Sequence, residues 1–388
     1  MTPRKILLSC YRAALAAVDG RRAVREHLSS HPLRGEWRIV AVGKAAGAMA
    51  QGAVEALGTQ SAGGLLVVPE GHLPAGFVLE SHGLAVRYGS HPVPDVRSLE
   101  AGAGVAHYVA SLPQDAQVLF LVSGGTSSLV ESLVPGASLD DLQALNRRAL
   151  QSGAPIEEVN SMRRQLSRLK GGGLARIAGS RRSHALMMSD VPGDDPRIIG
   201  SGLLHSFGDD VPHVPVKIVA SIRHACAAAA EAALAQGLRA SVVHSPFAGA
   251  AEALGIRFAA ALARLPSGVV QIRGGESAVR LPERPGRGGR NQHLALAAAL
   301  EFERRAMREA CLLAAGTDGI DGSSPDAGAL VDGGTCRRGR DAGGDPGAAL
   351  ERADSGSFLE AAGDLLHTGV TLTNVGDLVL GLKMGGQR

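Results

Sequence analysis

The sequence is poor in aromatic residues and in cysteine. Phe, Trp and Tyr make up only 3% of the 388 residues, so a core drawn from a 45% share of hydrophobic residues must be built mainly from Ala, Val and Leu. The four cysteines are scattered without a CxxC pair, which argues against a structural zinc site and against a disulfide framework. This usage predicts a protein of the reducing cytoplasm.

An excess of one charge and long apolar runs are also absent. The net charge is +3, and the basic residues occur in short pairs without interleaved aromatics, which argues against a nucleic-acid partner. No run reaches the ~18 apolar residues of a membrane span. The segment 4–18 has the outline of a signal peptide, but Tyr11 and Arg12 interrupt it, and its pattern predicts an amphipathic helix. We therefore expect neither a membrane partner nor secretion.

Short apolar runs alternate with helical patterns through the first two thirds of the chain, which predicts parallel α/β architecture. The clearest buried strand is VLFLV at 118–122, and LAVRY at 84–88 and VKIVAS at 216–221 are further strands. Asp95 is placed to cap a helix at about 96–111.

The pattern changes in the last third. VVQIR and SAVRL flank Gly274 and Gly275, which predicts two paired strands with a tight connection. We place an N-terminal domain at 1–240 and a C-terminal domain at 241–388, with the boundary open between 240 and 268. The last strand-like run, DLVLGL, is compatible with either domain.

Four glycine-rich joints follow apolar runs and are the main functional signal. They are VGKAAG at 42–47, SGGTSS at 123–128, RGGES at 273–277 and AGTDGIDG at 315–322. Ligands of open α/β sheets bind outside the carboxyl ends of the strands, and glycine lets backbone N–H groups approach an anion closely. The joints therefore predict a site for phosphates and a small charged substrate.

The joints lack the standard nucleotide-binding fingerprints. VGKAAG is not a Walker A loop, because Arg38 and Ala45 stand where GxxxxGK[ST] needs glycine and a hydroxyl residue, and it is not GxGxxG. Taken alone, Lys44 fits a surface lysine as well as a phosphate ligand. SGGTSS before a helix favours an anion nest over a flexible turn. Ser123 has no evident His–Asp partners, so acyl hydrolysis is not expected.

Two acidic loops each follow a predicted buried strand. Asp190 comes directly after a strand, where a catalytic base or a magnesium ligand is expected. One acidic loop is ordinary turn chemistry, but the second, with Asp318 and Asp321, makes a magnesium–nucleotide site plausible. Arg290 begins a helix, where its charge is unfavourable beside the helix dipole unless an anion is bound or the guanidinium points away.

Together these stretches resemble the type II glycerate 2-kinases, also called MOFRL-domain glycerate kinases, over nearly the whole chain. The matching stretches are VGKAAGAMA, SHPVPDVRSLEAG, LVSGGTSSL, VNSMRRQLSRLKGGGLAR, SDVPGDD, GGESAVRL, GRGGRNQHLALAAAL, AGTDGIDGSSPDAGALVD and LTNVGDL. Thr126 and Ser127 stand where the family often has glycine or alanine, and the segment 203–215 is shorter than in the family.

The resemblance implies ATP-dependent phosphorylation of D-glycerate at its 2-hydroxyl, with Mg²⁺ or another divalent cation. It implies two α/β domains, a larger N-terminal Rossmann-like domain with a parallel sheet and a smaller C-terminal MOFRL domain, with the active site in the cleft between them. Members have also been named hydroxypyruvate reductases. We keep that NAD(P)H-dependent activity, and a catalytically weak sugar-acid or nucleotide-binding protein, as alternatives. The expected partners are D-glycerate and ATP, in a monomer or homodimer.

On this hypothesis each joint receives a role. Lys44 and Arg290 match family positions proposed to serve catalysis, and Asp190 would accept the proton of the 2-hydroxyl. Substrate and phosphate would be bound by Ser123, Gly124, Gly125, Thr126, Ser127, Asn160, Arg163 and Lys170. The nucleotide would contact Gly274, Gly275, Glu276, Thr317 and Asp318. The metal ligands would come from Asp190, Glu276, Asp318 and Asp321.

Overall fold

The computed structural model describes residues 2–152, 162–206, 208 and 211–385. Contacts between residues divide the chain into two compact units. The parallel unit comprises Asp19–Ser221 and Leu372–Asn374, and the mixed unit comprises Met1–Val18, Ile222–Thr371 and Val375–Arg388. Each unit is built around one six-stranded sheet.

The strands and helices are numbered in chain order. Strands β1 to β12 span Trp37–Val42, Ser61–Val68, Leu84–Tyr88, Gln117–Val122, Arg182–Ser189, Val216–Ser221, Arg239–Ala250, Val269–Ala278, Ala310–Gly316, Gly328–Asp332, Leu365–Leu366 and Asp377–Lys383. Helices α1 to α13 span Pro3–Ala17, Gly20–Ser30, Ala46–Leu57, Val96–Ser111, Thr126–Leu129, Leu139–Ser152, Gly173–Ala178, Ile222–Ala235, Ala251–Arg264, Arg290–Arg304, Thr335–Asp341, Pro346–Glu351 and Ser355–Ala361. Among the described helices, none combines the length and the apolarity that a bilayer crossing requires.

The sheet of the parallel unit has the strand order β3-β2-β1-β4-β5-β6, and all of its neighbouring strands are parallel. Its central strand β4 is buried from Val118 to Val122, because both faces of a parallel sheet are covered. The covering helix α4 begins where the sequence predicts, since Asp95 accepts a hydrogen bond from the Arg97 amide over 2.9 Å. The predicted Rossmann-like, parallel-sheet architecture is confirmed.

The sheet of the mixed unit has the order β11-β10-β9-β12-β8-β7. Only β7 and β8 run parallel, and the other neighbours are antiparallel. One face packs against α9 and α10 through Phe258, Leu262, Leu294 and Phe302, which are fully buried. The final strand β12 therefore joins this sheet between β9 and β8.

Strand β8 corrects the prediction of two strands joined at a glycine pair. The strand is continuous from Val269 to Ala278 and passes through Gly274 and Gly275. A Cβ on Gly274 would lie 2.2 Å from Ile222 Cγ1, and the chain is glycine there because α8 packs directly on the strand. The glycines thus serve close packing rather than a turn.

The units also differ from the predicted domains 1–240 and 241–388, because α1 and α8 belong to the mixed unit. Helix α1 packs on α8, and its Arg4 pairs with Asp332 and Asp364 over 2.6 and 2.9 Å. Arg338 pairs with the same two carboxylates. Two arginines and two aspartates thus hold the amino-terminal helix to residues more than 300 positions later in the chain.

Candidate active site

The turn between β1 and α3 holds Lys44 beside the turn that follows β4. Gly43 has a φ of +129°, which favours glycine, and a Cβ there would lie 2.1 Å from Ser123 Oγ. The Lys44 amide donates a hydrogen bond to the Gly124 carbonyl over 2.9 Å. The backbone of the half-buried Lys44 is therefore fixed at the carboxyl ends of β1 and β4.

The hydroxyl groups of SGGTSS have partners within the fold. Ser123 Oγ accepts a hydrogen bond from the Ala45 amide over 3.1 Å. Thr126 is buried and its hydroxyl donates to the Ser123 carbonyl over 2.6 Å, while the Ser127 hydroxyl pairs with that of Ser201 over 2.9 Å. These hydroxyls thus brace the turn, and the assignment of Ser123, Thr126 and Ser127 to substrate or phosphate stays a prediction.

The backbone of the same turn also carries hydrogen-bond donors. Within the described residues, the N–H groups of Gly124, Gly125, Thr126 and Ser127 donate to no protein acceptor. Gly125 has a φ of +85° and precedes α5. Successive N–H groups around a left-handed residue form a concave surface that attracts anions. The amides of Gly124–Ser127, which we call the amide nest, thus present the donors that such a surface requires.

Asp190 and Asn374 pack on the amide nest. Asn374 Nδ2 donates a hydrogen bond to Asp190 Oδ2 over 3.2 Å. A Cβ on Gly124 would lie 2.1 Å from each of these two atoms, so only glycine permits the approach. Asp190 follows β5 directly, as the sequence predicts, whereas Asn374 comes from the far end of the chain and was not assigned. The stretch LTNVGDL carried the signal, because it matched the family.

Lys44 and His91 lie over the nest at Gly125. A Cβ on Gly125 would lie 3.1 Å from both Lys44 Cγ and His91 Cδ2. The sequence predicts a catalytic role for Lys44 and none for His91. The parallel unit therefore gathers a lysine, an imidazole, a carboxylate and the amide nest at the carboxyl ends of its strands.

Lys170 is not part of this group. Its ammonium pairs with Glu131, and both side chains are completely buried. Glu131 also accepts hydrogen bonds from the Ser132 amide, over 2.9 Å, and from the Ser167 hydroxyl. Burial lowers the pKa of Lys170, although the attraction of Glu131 opposes this shift. The prediction that Lys170 binds substrate is corrected, because an enclosed ammonium cannot reach a ligand.

Arg163 and Asn160 are the two other substrate-binding candidates near Lys170. Arg163 lies near Glu131, and burial lowers the pKa of its guanidinium while Glu131 raises it. Its assignment to substrate stays a prediction. Asn160 lies outside the described residues.

Arg290 begins α10 and is held by two carboxylates. Its Nε and Nη2 donate to Asp377 over 2.6 and 3.0 Å, and its Nη1 contacts Glu276. The Asp377 side chain is 1% exposed, whereas that of Glu276 is 58% exposed. Burial by itself lowers the pKa of Arg290, but Asp377 and Glu276 outweigh it and raise the pKa above its ordinary value. The negative charge expected beside Arg290 at the start of α10 is supplied by Asp377 and Glu276.

Thr317, which the sequence assigns to nucleotide binding, also holds the backbone before β12 in place. Its buried hydroxyl donates to the Gly376 carbonyl over 2.7 Å and accepts from the Val375 amide over 2.9 Å. It thereby fixes the segment that leads into β12. Asp318 accepts from the Ile320 amide over 3.2 Å and shapes the same acidic loop.

Asp321 caps α10 from this loop. Its Oδ1 accepts from the Asn291 amide over 3.0 Å, and its Oδ2 accepts from the Gln292 amide over 2.8 Å. The side chain is 1% exposed. Burial raises the pKa of Asp321 to about 7, although the two amide donors oppose the shift. Both oxygens are occupied, so its assignment as a metal ligand is corrected.

The three predicted magnesium ligands of the mixed unit, Glu276, Asp318 and Asp321, do not form a site with one another. Within the described residues, no group of three or more His, Cys, Asp or Glu side chains could hold a metal ion. Mg²⁺ needs an octahedral shell of oxygens. Glu276 is engaged by Arg290, and Asp321 is engaged by helix amides. The donor set therefore does not fit a resident magnesium ion.

Two family models match successive parts of the chain. Residues 6–233 match a domain of unknown function, DUF4147, and residues 269–377 match the MOFRL family. The D-glycerate 2-kinase of Thermotoga maritima is 34% identical over 98% of this chain and 98% of its own length. The chain belongs to the MOFRL-type glycerate 2-kinase family.

One solved structure and one further relative are also similar to this chain. The crystal structure of the Thermotoga maritima glycerate kinase matches with a TM-score of 0.86 at 32% identity, over 98% of this chain and 99% of that one. A protein of Agrobacterium vitis with the provisional name hydroxypyruvate reductase is 36% identical over 97% of this chain and 94% of its own length. The fold predicted from the family resemblance is thus confirmed, and both activities considered for the sequence occur among the names of its relatives.

Proposed function

We propose that this chain catalyses the ATP-dependent phosphorylation of D-glycerate at the 2-hydroxyl, giving 2-phospho-D-glycerate and ADP. The observation that carries the proposal is the packing of Asp190 and Asn374 on Gly124, beside Lys44. A carboxylate, a cation and the amide nest then stand together at the carboxyl ends of parallel strands. Phosphoryl transfer to an alcohol requires mainly positioning and charge neutralisation, which these groups supply.

Asp190 is the candidate base. A base must lie within hydrogen-bond reach of the proton that it accepts and must be held in one orientation. Asn374 donates to one carboxylate oxygen of Asp190 over 3.2 Å and thereby helps to orient the carboxylate, which we assign to accept the proton of the 2-hydroxyl of glycerate. The closeness of Gly124 to the same carboxylate fixes its distance from the amide nest.

Lys44 and the amide nest bind the negative charges. Fixed amide donors stabilise an anion without reorganisation during the reaction, and a lysine supplies a full positive charge. We assign the glycerate carboxylate or a phosphoryl oxygen to the nest. The Lys44 ammonium then neutralises the charge that develops on the transferred group.

Arg290 has a second role in the mixed unit. Asp377 fixes two of its nitrogens, whereas the third contacts the exposed Glu276. Exchange of Glu276 for a phosphate oxygen would leave the orientation of the guanidinium unchanged. We therefore assign Arg290 to the phosphates of ATP. Divalent cation arrives with the ATP phosphates, which is the usual mode for Mg²⁺ in phosphoryl transfer. The cytoplasmic location and the monomeric or dimeric state stay predictions.

A coupled assay tests the function directly. Purified protein, ATP, magnesium and D-glycerate are incubated with enolase, and phosphoenolpyruvate formation is followed. A signal with enolase alone identifies 2-phosphoglycerate. A signal that requires added phosphoglycerate mutase means that the 3-hydroxyl is phosphorylated, which contradicts the proposed regiochemistry.

The same preparation also tests the reductase name of the Agrobacterium vitis relative. Oxidation of NADH or NADPH by hydroxypyruvate, together with no transfer from ATP to glycerate, would replace the kinase proposal. The turn after β1 argues against this outcome, because VGKAAG lacks the glycine pattern that lets a dinucleotide pyrophosphate approach the backbone.

A further inference from the structure

The mixed unit contains a cavity between α8 and the edge of its sheet. Its volume is about 280 Å³. Ile222, Cys226 and Ala230 line it from the helix, and Val242 and Pro246 line it from β7. Small-molecule sites begin at roughly 300 Å³, so the cavity suits one flat ring system rather than a whole nucleotide. Its two walls are mainly apolar, as the faces of such a ring require, and Arg223 of the helix and His244 of β7 also line it.

The strand that lines the cavity is bulged at one place. Between the pairs Val243–Arg273 and Phe247–Gly275, three residues of β7 stand opposite the single residue Gly274 of β8. Strand β7 is also the outermost strand of the sheet. A bulge on an edge strand directs backbone N–H and C=O groups away from the ladder. A ring that carries one donor and one acceptor on its edge could pair with such groups.

Gly274 forms the floor of the cavity and sets its depth. A Cβ on Gly274 would lie 2.2 Å from Ile222 Cγ1 and 3.2 Å from Cys226 Sγ, so a larger residue would displace the α8 wall. Side chains along a strand alternate between faces, which places Glu276 on the same face as Gly274. Two residues of strand cover roughly 7 Å. The cavity therefore lies one ribose length from the residue that contacts Arg290.

We propose that this cavity binds the adenine base of the nucleotide substrate. Adenine has two apolar faces, and its edge carries an amino donor next to a ring-nitrogen acceptor. The α8 and β7 walls enclose the faces, and the β7 bulge pairs with the edge. The phosphates then extend along β8 towards Glu276 and Arg290. The proposal rests on the proposed function only in taking ATP as the substrate.

The test measures ADP binding by titration calorimetry, without turnover. Ala227 lines the mouth of the cavity and is exposed, so Ala227→Trp fills the cavity without entering the core. Ala235→Trp adds the same side chain at an exposed position of α8, about two helical turns away. We expect Ala227→Trp to weaken ADP binding at least 10-fold, while Ala235→Trp binds as the wild type does. Pyrophosphate, which lacks the base, should bind all three proteins equally.

Each outcome separates this assignment from the kinase assignment. Wild-type ADP affinity in Ala227→Trp overturns the adenine site, even if the enzyme phosphorylates glycerate. An equal loss for pyrophosphate, or an equal loss in Ala235→Trp, also overturns it. Selective loss of ADP binding supports the site, and it does so even if no transfer to glycerate occurs, a result that would remove only the proposed function.

Discussion

Arg290 and Asp377 form a two-point ion pair in which Nε and Nη2 donate to the two carboxylate oxygens over 2.6 and 3.0 Å. The pair joins the start of α10 to the start of β12, residues 87 positions apart. Because Asp377 is almost completely buried, the geometry of the guanidinium is fixed before any ligand binds. Asp377 is therefore a positioning residue for Arg290.

Arg290→Lys should fold and bind ATP but lose turnover. Lysine keeps the positive charge that buried Asp377 needs, yet a point charge cannot reproduce the planar fork. We expect kcat to fall by about 10² to 10³, the usual cost of one lost transition-state donor. Arg304→Lys, at an exposed position of the same helix, is the matched control and should keep kcat. Near-normal kcat in Arg290→Lys would remove Arg290 from the catalytic group.

Gly124→Ala tests the packing of Asp190 on the amide nest. The added methyl would lie 2.1 Å from Asp190 Oδ2 and Asn374 Nδ2, so both side chains must move. A displacement of about 1 Å in a catalytic group can cost about 10² in rate. We expect a fall in kcat of this size, measured in the enolase-coupled assay.

The control for this variant is Gly385→Ala, whose new methyl would make only an ordinary contact of 3.9 Å with Ser267. It should leave both kcat and the thermal midpoint unchanged. If Gly124→Ala retains kcat, Asp190 does not need its observed position, and its role as the base fails.

The sequence predicts those features that depend on neighbouring residues. Strands β3 and β6 have the predicted bounds 84–88 and 216–221, because short apolar runs between turn residues have few alternatives. Asp95 caps α4 as predicted, since an N-cap acts on amides only a few positions away. Lys44 and Asp190 lie at strand ends for the same local reason.

Contacts between residues far apart in the sequence could not be predicted from neighbouring residues. Asp321 resembles a metal-binding aspartate in sequence, and only the fold shows that it caps a helix that begins about 30 residues earlier. Lys170 resembles a substrate-binding lysine, and Glu131, its partner 39 residues away, carries no local signal. A charged residue in a glycine-rich loop therefore does not by itself show whether it binds a ligand, caps a helix or forms a buried ion pair.

Lys170→Met should destabilise the parallel unit without a direct effect on ligand binding. The substitution leaves Glu131 buried without its cation, which typically costs about 3–5 kcal/mol. Unfolding can be followed through Trp37, the single tryptophan, which is buried in the same unit. Lys217→Met, at an exposed lysine of that unit, is the control.

The double variant Glu131→Gln/Lys170→Met removes both charges and should recover part of the lost stability. The KM for glycerate of the folded Lys170→Met fraction should equal that of the wild type. A raised KM with an unchanged free energy of unfolding would restore Lys170 to the substrate site.

Because Asp321 is buried where it caps α10, we expect its titration to make the free energy of unfolding depend on pH. Burial raises the pKa of Asp321 to about 7 in the folded protein, whereas an exposed aspartate titrates near 4. Between these values the folded state holds a proton that the unfolded state releases. The free energy of unfolding therefore falls as the pH rises from about 4 to about 7, and this contribution is constant above that range.

The measurement compares the wild type with Asp321→Asn, which cannot titrate at this position. Calorimetry is the suitable method, because Trp37 lies in the other unit and does not report on α10. The wild-type stability minus that of the variant should fall by up to about 4 kcal/mol between pH 4 and pH 7, at 1.36 kcal/mol for each pKa unit. A difference that rises over this interval would mean that the Asn291 and Gln292 amides, and the helix dipole that they represent, outweigh burial and keep Asp321 ionised. In that case Asp321 would stabilise α10 as a charge rather than as a neutral acceptor.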